Sequence, residues 1–579
     1  MNRSLDPVTL EVVRNAFPAI ANEMAVDLQR TSYNMMIYEV RDFCTAIVDV
    51  DGRLVSQNVG GVSHFVSDLG VIVIDAVKRY GRDGFAPGDV LITNHQAVAG
   101  QHLNNIVVHV PWFFEDKLAF FAMVRAHWID VGGSSTGFGG GPRVVDPWLE
   151  GLQLNQLKLY DAGTLNEPLH RMIEDNIRFP ESSMGDLRGQ IAACRLAARR
   201  LDELFGKYGS ATVHAALERV FDETEAKCRA VVAGIADGVY EAETFFDHDT
   251  QKKDERLRLH ARVTVRGEEM TIDLSGCPGE RKAAINARTF AAAYVAYKAL
   301  TAPLEPVNEG SFRALDVIIP EGNIMMARYP APMASWSLIV PSVVDTIVAA
   351  LAPAMRDRVP AAHHGLLGGS VVFFGRHPET GRNFVVQSIE GGGWGGRPGE
   401  DGESATVSVC QGDVRNAAIE GIELKCPVLV EQRALRTDSG GAGEFRGGLG
   451  IDMKVVNLVD GRWNFQGSLR QTAPPWGLWG GGEGGTHTYL LQEPGDSGFR
   501  EMDMQGYAVP PKAEVVVRTG GGGGWGNPMN RDPDSVAADV SEGYVSPEAA
   551  ERDYGVVLDA ESLAVDGEAT AALRRARRG

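Results

Sequence analysis

Cysteine is scarce in this sequence, and its spacing argues against two common kinds of site. The 579 residues include six cysteines, spread from Cys44 to Cys426 without a CxxC motif. That pattern argues against a disulfide framework and against a zinc knuckle, and it suits reduced thiols in a cytoplasm. We therefore expect a cytoplasmic location and no cysteine nucleophile.

Long apolar runs are also missing. No stretch approaches the roughly 20 apolar residues that a membrane helix needs, and the first residues, MNRSLDPVTLEVVRN, lack the apolar core of a signal peptide. The composition, with 44% hydrophobic and 23% charged residues, is ordinary for a globular protein. We expect no membrane partner, and the length predicts two or more domains.

Positive charge is in short supply. The formal net charge is −20, and the basic run is confined to RRARRG at the end of the sequence. Because duplex binding draws most of its affinity from neutralising phosphates with Lys and Arg, we expect no nucleic-acid partner. We interpret the terminal run as a solvated helix end.

Nucleotide-binding motifs are absent although glycine is abundant. Four glycine clusters lie at 390–402, 438–450, 476–486 and 519–528. None supplies the lysine and hydroxyl of a P-loop, and Arg397-Pro398 would interrupt the helix that a dinucleotide motif requires. At these glycines we expect turns and close backbone packing between strands.

Patterning predicts mixed secondary structure in the N-terminal part. Asp6-Pro7 begins a helix, and FCTAIVDVDGRLVSQ predicts a hairpin over 43–57 around Asp51-Gly52. The strand-like segments VLITNH and AFFAMVRAH both stop at polar residues. Such strand ends are expected to converge on one pocket.

The rest of the sequence divides into a helical and a β-rich part. Residues 185–238 predict two long helices closed by Gly238, and AAINARTFAAAYVAYKAL predicts a further helical segment. ARVTV and EEMTIDL predict a hairpin across Arg266-Gly267. The predicted fold class is α+β and multidomain, in three parts: a mixed region at 1–180 with a metal site, a helical segment at 181–240, and a β-rich, glycine-rich region at 241–579 with a C-terminal helical tail.

Histidine and polar residues are concentrated between Asn94 and Asp130. Four of the thirteen histidines lie there, in NHQAVAGQHLNNIVVHV and RAHWID, and Asp42 lies upstream in YEVRDF. Imidazole and carboxylate groups are ligands of zinc, manganese and iron, and a catalytic centre leaves one position open for substrate. The crowding predicts a metal site.

Separated blocks in order along nearly the whole chain resemble the hydantoinase B family. They are YEVRDFCTAIVDVDGRLVSQ, GVSHFVSDLG, PGDVLITN, GQHLNN, RAHWIDVGG, DSGGAGEFRGGLG and GGGGWGNPMNRDPDSV with DVSEGYVSPEAAERDYGVV. The family provides one subunit type of ATP-dependent hydantoin and 5-oxoproline hydrolases, of a related caprolactam hydrolase, and of acetone and acetophenone carboxylases. The resemblance is specific for the family and not for the reaction.

The resemblance implies a mononuclear metal centre held by Asp42, His102 and His127, with zinc as the expected metal and manganese or iron as alternatives. One carboxylate and two imidazoles also make, on chemical grounds, an open site that can polarise a carbonyl or lower the pKa of bound water. The resemblance further implies a hetero-oligomer with a hydantoinase A-like, ATP-binding subunit that uses ATP and Mg to phosphorylate the ring amide.

Four neighbouring residues are candidates for supporting roles. In a turn, Asp130 would orient the His127 imidazole as a second-shell partner. The sequence departs from the family at His95 and Asn105, since aspartate is common at both positions; Asn105 is assigned beside the metal, and His95 is a ligand, a proton carrier or a structural residue. His64 is a candidate acid or base, or else a satisfied interior histidine.

Three further histidines are given no catalytic role. The alternation in VVHV places His109 on one face of a strand as a structural residue. His363 and His364, in AAHHGLLGG, are interpreted as an incidental loop pair; the alternative is that they approach the pocket from the β-rich half.

The sequence therefore favours one function over two alternatives. The expected function is the metal-bearing subunit of an ATP-dependent cyclic amide hydrolase of the hydantoinase or 5-oxoprolinase type, with His64 and His95 as catalytic residues. The alternatives are a subunit of an ATP-dependent ketone carboxylase and a noncatalytic scaffold for the ATP-using partner.

Overall fold

The structure, a computed structural model, describes residues 5–137, 144–249, 252, 254–366, 369–459, 463–466, 471–502 and 507–578. Within these ranges helices surround four β-sheets, which confirms the mixed α+β class. None of the helices in these ranges is long and apolar enough to cross a membrane.

The first helix begins where the sequence predicts, because the Asp6 carboxylate accepts the N–H of Thr9 at 2.9 Å. The α-helices of the described residues are α1 Pro7–Thr31, α2 Met35–Tyr38, α3 Val66–Tyr80, α4 Pro147–Glu150, α5 Glu167–Asp175, α6 Pro180–Tyr208, α7 Ser210–Val232, α8 Ala291–Thr301, α9 Val340–Leu351, α10 Ile419–Lys425, α11 Pro533–Ser541, α12 Pro547–Tyr554 and α13 Gly567–Arg578.

The first sheet carries the histidine-rich segments. Its seven strands are antiparallel, in the order β2-β1-β5-β4-β3-β6-β7. The predicted hairpin is confirmed as β1 and β2, with Gly52 at φ +84°. The strands are β1 Phe43–Asp49, β2 Leu54–Gln57, β3 Val90–Thr93, β4 Asn105–Phe114, β5 Lys117–His127, β6 Leu157–Asp161 and β7 Thr164–Leu165.

The two faces of this sheet pack against different parts of the chain. On β5, Phe120, Ala122, Val124 and Ala126 share a core with α1 and α6. Alternate residues point the other way, and Phe121 and Met123 share a core with the β-rich region. Arg125 and His127 belong to this second set by their spacing, so the polar end of β5 faces the interior of the molecule.

The helical middle and the second sheet follow with two corrections. The two long helices are confirmed as α6 and α7, but α7 ends at Val232, and Gly238 instead begins β8. The predicted helix in AAINARTFAAAYVAYKAL is confined to α8. The Asn286 side chain bonds four backbone groups, and these bonds hold the residues that precede α8 in a non-helical path. The hairpin across Arg266-Gly267 is confirmed. The strands, in the order β11-β10-β9-β8, are β8 Gly238–Phe246, β9 Leu257–Arg266, β10 Glu269–Asp273 and β11 Leu315–Ile318.

Two further sheets make the second half β-rich, as expected. One has the order β13-β12-β16-β19 and the other the order β14-β15-β20-β17-β18. Their strands are β12 Gly369–Arg376, β13 Asn383–Glu390, β14 Val428–Leu435, β15 Ile451–Asn457, β16 Trp463–Gln466, β17 Thr488–Gln492, β18 Arg500–Glu501, β19 Tyr507–Val509 and β20 Glu514–Arg518.

The four glycine clusters come together as a bundle of hydrogen-bonded segments. Gly393 donates to Gly520, Gly522 donates to Gly448, and Gly524 donates to Gly482, all through the backbone. A Cβ on Gly522 would lie 1.9 Å from the Trp394 carbonyl oxygen. The prediction of close backbone packing at these glycines is confirmed.

The predicted domain boundaries at 180 and 240 stay a prediction. One buried core joins Met123 of the first sheet to Ile285, Trp336 and Val515 of the later region. At the C-terminus the basic run continues α13 to Arg578. The guanidinium groups of Arg574 and Arg577 donate to backbone carbonyls of Arg531, Tyr554, Glu551 and Arg552, so this helix end packs on the preceding segments and is not fully solvated as expected.

Candidate functional site

The candidate site lies at one end of the first sheet. His127 is the last residue of β5, Asn105 is the first residue of β4, and these two residues are paired in the strand register. Asp42 immediately precedes β1, and its carbonyl oxygen accepts the N–H of His127 at 3.1 Å. Strand ends therefore converge as the sequence predicts.

Three of the predicted histidines come together here. The rings of His102 and His127 are 4.7 Å apart between centroids, at an interplanar angle of 81°. The Trp336 ring packs edge-on against His64 at 4.7 Å and against His102 at 6.2 Å. The backbone N–H of His64 donates to the Cys410 carbonyl at 3.0 Å, and this bond holds the turn that carries the His64 side chain.

Burial makes these imidazoles neutral bases near neutral pH. It lowers the pKa of His102 to about 4, although the Asn105 side chain opposes the shift. Burial likewise lowers the pKa values of His64 and His127 well below their ordinary value. A neutral imidazole has a lone pair for a metal ion or a proton.

Asp42 is a buried residue that its backbone bond to His127 holds at this end of the sheet. Its residue surface is 7% exposed, and burial raises its pKa to about 7, while the charge of Arg125 acts in the opposite direction. A carboxyl that is costly to ionise in isolation gains from a nearby cation.

A buried polar network that the sequence patterns do not reveal supports the histidines. Arg125 lies 3.5 Å from the Asp68 carboxylate and 4.7 Å from the centre of the Phe65 ring. Asp68 accepts from Gln101 at 2.6 Å, and Gln101 in turn accepts from Asn105 at 2.7 Å. Arg125 sits within an apolar strand pattern, so periodicity alone gives no signal for its role.

Asp130 organises a loop. Its carboxylate accepts the N–H groups of Gly132, Gly137 and Arg178, at 2.9, 3.0 and 2.9 Å, and it pairs with the Arg178 guanidinium at 2.9 Å. All four of these contacts go to the loop and to Arg178. The expected role of Asp130 in orienting the His127 imidazole therefore stays a prediction.

His95 lies apart from the trio. It is half-buried, its Nδ1 accepts the N–H of Ala97 at 3.3 Å, and its ring lies 4.9 Å from that of Tyr329. Burial and the charge of Arg79 lower its pKa. This environment gives no direct support to a role as a metal ligand, and the catalytic assignment stays a prediction.

The remaining histidines have defined surroundings. His109 lies on β4 with its Nε2 2.9 Å from Gln156, in agreement with a structural role. His363 and His364 are both buried, and the His363 Nδ1 lies 2.8 Å from the Asp345 carboxylate. The pair is thus part of the interior, and its interpretation as incidental, with approach to the pocket as the alternative, stays a prediction.

The donor chemistry fits a divalent metal. Two neutral imidazoles and a carboxyl form the set that an open zinc centre uses. Within the described ranges, however, no group of three or more His, Cys, Asp or Glu side chains is arranged to hold a metal ion. The His102–His127 pair is the formed part of the candidate centre, and Asp42 as third ligand stays a prediction.

Comparison with known proteins adds the family and the fold. The family model described as Hydantoinase B/oxoprolinase matches residues 6–528. A protein of Pseudomonas sp. (strain NS671), named as the B-type subunit of a "Putative D-/L-hydantoinase", is 32% identical, over 99% of this chain and 98% of its own.

Two solved structures have the same fold. The ATP-dependent caprolactamase from Pseudomonas jessenii superposes with a TM-score of 0.92 at 27% identity, over 99% of this chain and 100% of that chain. A nucleotide-free acetone carboxylase gives a TM-score of 0.91 at 19% identity, over 100% of this chain and 83% of that chain. At that identity the second likeness shows the fold alone.

Proposed function

The chain belongs to the hydantoinase B/oxoprolinase family, and we propose that it is the metal-bearing subunit of an ATP-dependent hydrolase of cyclic amides, of the hydantoin or 5-oxoproline type. A hydantoinase A-like partner phosphorylates the ring amide with ATP and Mg, and the two chains form a hetero-oligomer. Two observations support this assignment of the ATP-dependent step to a partner. The Pseudomonas relative is named as one subunit of a larger enzyme, and this sequence has no nucleotide-binding motif.

The observation that carries this proposal is the His102–His127 pair. Two separate segments bring the half-buried His102 and the buried His127 to a centroid distance of 4.7 Å, and Asp42 bonds to His127 through the backbone. A bound zinc ion, or manganese or iron in its place, would supply Lewis acidity toward a carbonyl or a water molecule. Asp42, His102 and His127 are the proposed ligands.

His64 is the proposed proton carrier. Its ring shares the Trp336 contact with His102, and burial keeps it neutral, so it can accept a proton from water and return it to the ring nitrogen. In the reaction one water adds to the activated carbon and the ring C–N bond breaks, which gives the ring-opened amine as an acyl phosphate; a second water then hydrolyses the acyl phosphate to the carboxylate and inorganic phosphate. The Asn105 side chain donates to the Gln101 side chain and so supports the segment that carries His102.

The test is a product assay on the chain reconstituted with its ATP-using partner. Hydantoin and 5-oxoproline are supplied with ATP, and ring-opened product is measured together with phosphate release. We expect ring opening that depends on ATP and that His102→Ala reduces at least about 100-fold.

A parallel arm contains labelled bicarbonate and a ketone substrate. Label in the product without ring opening of any cyclic amide would overturn the hydrolase assignment in favour of a carboxylase. Turnover that His102→Ala leaves unchanged would instead support a noncatalytic scaffold.

A further inference from the structure

The loop that carries His102 is attached by hydrogen bonds to the segment that follows at 150–154. We call residues 94–104, between the end of β3 and the start of β4, the histidine loop. The Asn94 side chain donates to the carbonyls of Leu103 at 2.7 Å and Leu152 at 2.9 Å, and it accepts the N–H of Leu154 at 2.7 Å. One side chain thus closes the base of the loop.

Glu150 makes the second attachment. This residue ends α4, is 0% exposed, and accepts the N–H of Leu103 with one carboxyl oxygen and the Gln96 Nε2–H with the other, at 2.7 Å. Gln96 is also 0% exposed. The two contacts join the early and the late part of the histidine loop through one buried carboxyl.

The attachment acts next to His102. A bond to the Leu103 N–H fixes the peptide unit that directly follows His102, and so constrains the direction in which its imidazole leaves the backbone. Groups that orient a metal-binding histidine typically change metal affinity by roughly 10-fold to 100-fold when they are removed. Nothing in DPWLEG marks this glutamate from the sequence alone, since its partners lie 47 and 54 residues away.

We propose that Glu150 is a positioning residue, which together with Gln96 closes the histidine loop and fixes His102 against His127. This inference rests on the proposed function, because it assumes that His102 and His127 bind the metal. Glu150 acts through the loop and takes no part in the chemistry itself.

The chain offers a conservative variant that keeps the shape of the Glu150 side chain. The Gln96 Oε1 is buried and has no hydrogen-bond partner among the described residues. In Glu150→Gln the new amide oxygen accepts from Leu103. The new N–H donates to the Gln96 Oε1 once the Gln96 amide group has turned over, so the loop stays closed. In Glu150→Ala both loop groups lose their partner.

The matched control is Asp89→Ala. Asp89 is also 0% exposed and accepts two backbone N–H groups, from Ala86 and Ala162, but it precedes β3 at the end remote from the histidine loop. Asp89→Ala therefore removes a buried carboxylate that accepts two backbone N–H groups, and it leaves the contacts of the histidine loop intact.

The experiment measures zinc affinity of the full chain by competition with a chelator, together with hydrogen exchange over 94–104. We expect Glu150→Ala to weaken zinc binding at least about tenfold and to speed exchange in the loop. Glu150→Gln should stay within about threefold of the wild type, and Asp89→Ala should leave the affinity unchanged.

Two results would overturn the positioning role: unchanged affinity and loop exchange in Glu150→Ala, or an equal loss of affinity in Asp89→Ala. Failure of the proposed function has a different signature, which is zinc binding that His127→Ala does not affect. In that case the exchange measurement still decides whether Glu150 closes the loop.

Discussion

At the scale of single residues, burial decides the chemistry of the site. His64 and His127 are 3% and 2% exposed, and burial disfavours their charged forms. The same burial pushes the pKa of Asp42 upward to about 7. These shifts therefore favour the neutral forms of both imidazoles and of the Asp42 carboxyl group near neutral pH.

The buried carboxyl of Glu150 makes folding stability depend on pH. Burial raises its pKa from 4.5 to about 8. Between these values the folded state keeps a proton that the unfolded chain has lost, so stability falls as pH rises, by up to about 1.4 kcal/mol per pH unit. Glu150→Gln should show a smaller drop in melting temperature between pH 6 and pH 8 than the wild type does. Equal drops would contradict the shift.

His64 and His95 are the two predicted catalytic residues, and turnover tests each of them. His64→Asn removes the proposed proton carrier beside His102 and should lower kcat by about 100-fold or more. His95→Asn should lower kcat by a similar factor if His95, whose ring lies against Tyr329, also carries a proton. The measurement is steady-state kinetics of the reconstituted enzyme; a change of less than about fivefold in either variant would contradict the catalytic role of that residue.

How far the sequence predicts the site depends on the kind of residue. Histidines crowded at strand ends are visible as a pattern, and the resemblance adds Asp42. Arg125 and Glu150 each stand alone among apolar neighbours, and their partners come from distant segments. Only the folded chain shows that they are buried and paired.

At the scale of elements, the glycine bundle is the unusual feature. Its segments approach so closely that backbone bonds to backbone without side chains between them: the Gly393 N–H donates to the Gly520 carbonyl, and a Cβ on Gly393 would lie 1.8 Å from the Gly448 carbonyl oxygen. Glycine is needed here for space, since these contacts leave no room for a side chain.

Alanine substitution should therefore have opposite effects in two places. Gly522→Ala forces a Cβ to within 1.9 Å of the Trp394 oxygen and should destabilise the protein by about 3 kcal/mol or prevent folding. Gly206→Ala, in α6 with nothing within 4 Å, should stabilise it by about 0.5–1 kcal/mol. Denaturant unfolding measures both, and a tolerated Gly522→Ala would contradict the packing.

Local patterns located strands better than helix ends. The hairpins at Asp51-Gly52 and Arg266-Gly267 depend on short-range turn chemistry that the sequence displays. The start of α8 depends on Asn286, whose side chain reaches the Pro332 carbonyl 46 residues away. A tertiary contact of this kind overrides helical propensity and cannot be read from periodicity.

At the scale of the whole molecule, buried ion pairs attach the C-terminal helices to the glycine bundle. Arg531 binds Asp401 at 2.6 and 2.7 Å and Asp539 at 2.8 Å, and its side chain is 7% exposed. Residues from loop, bundle and α11 meet in this one cluster, which no local pattern in the sequence marks.

Removing Arg531 should loosen that attachment. Arg531→Ala removes the hydrogen-bonded cation of Asp401 and Asp539, which keep the more distant Arg446 at 4.0 and 3.5 Å, and should cost about 3 kcal/mol. Arg552→Ala breaks an exposed pair with Asp553 and should cost no more than about 1 kcal/mol. Denaturant midpoints of both variants provide the comparison, and similar midpoints would contradict the role of the buried cluster.

The central claim is that His102 and His127 hold the metal that a ring-amide hydrolase needs. The most direct test is metal analysis of the purified complex for the wild type, His102→Ala and His127→Ala, with ATP-dependent ring opening measured on the same samples. We predict about one bound metal ion per wild-type chain, as the proposed mononuclear centre requires, and loss of both metal and turnover in each variant. Full metal content and undiminished turnover in either variant would contradict the account.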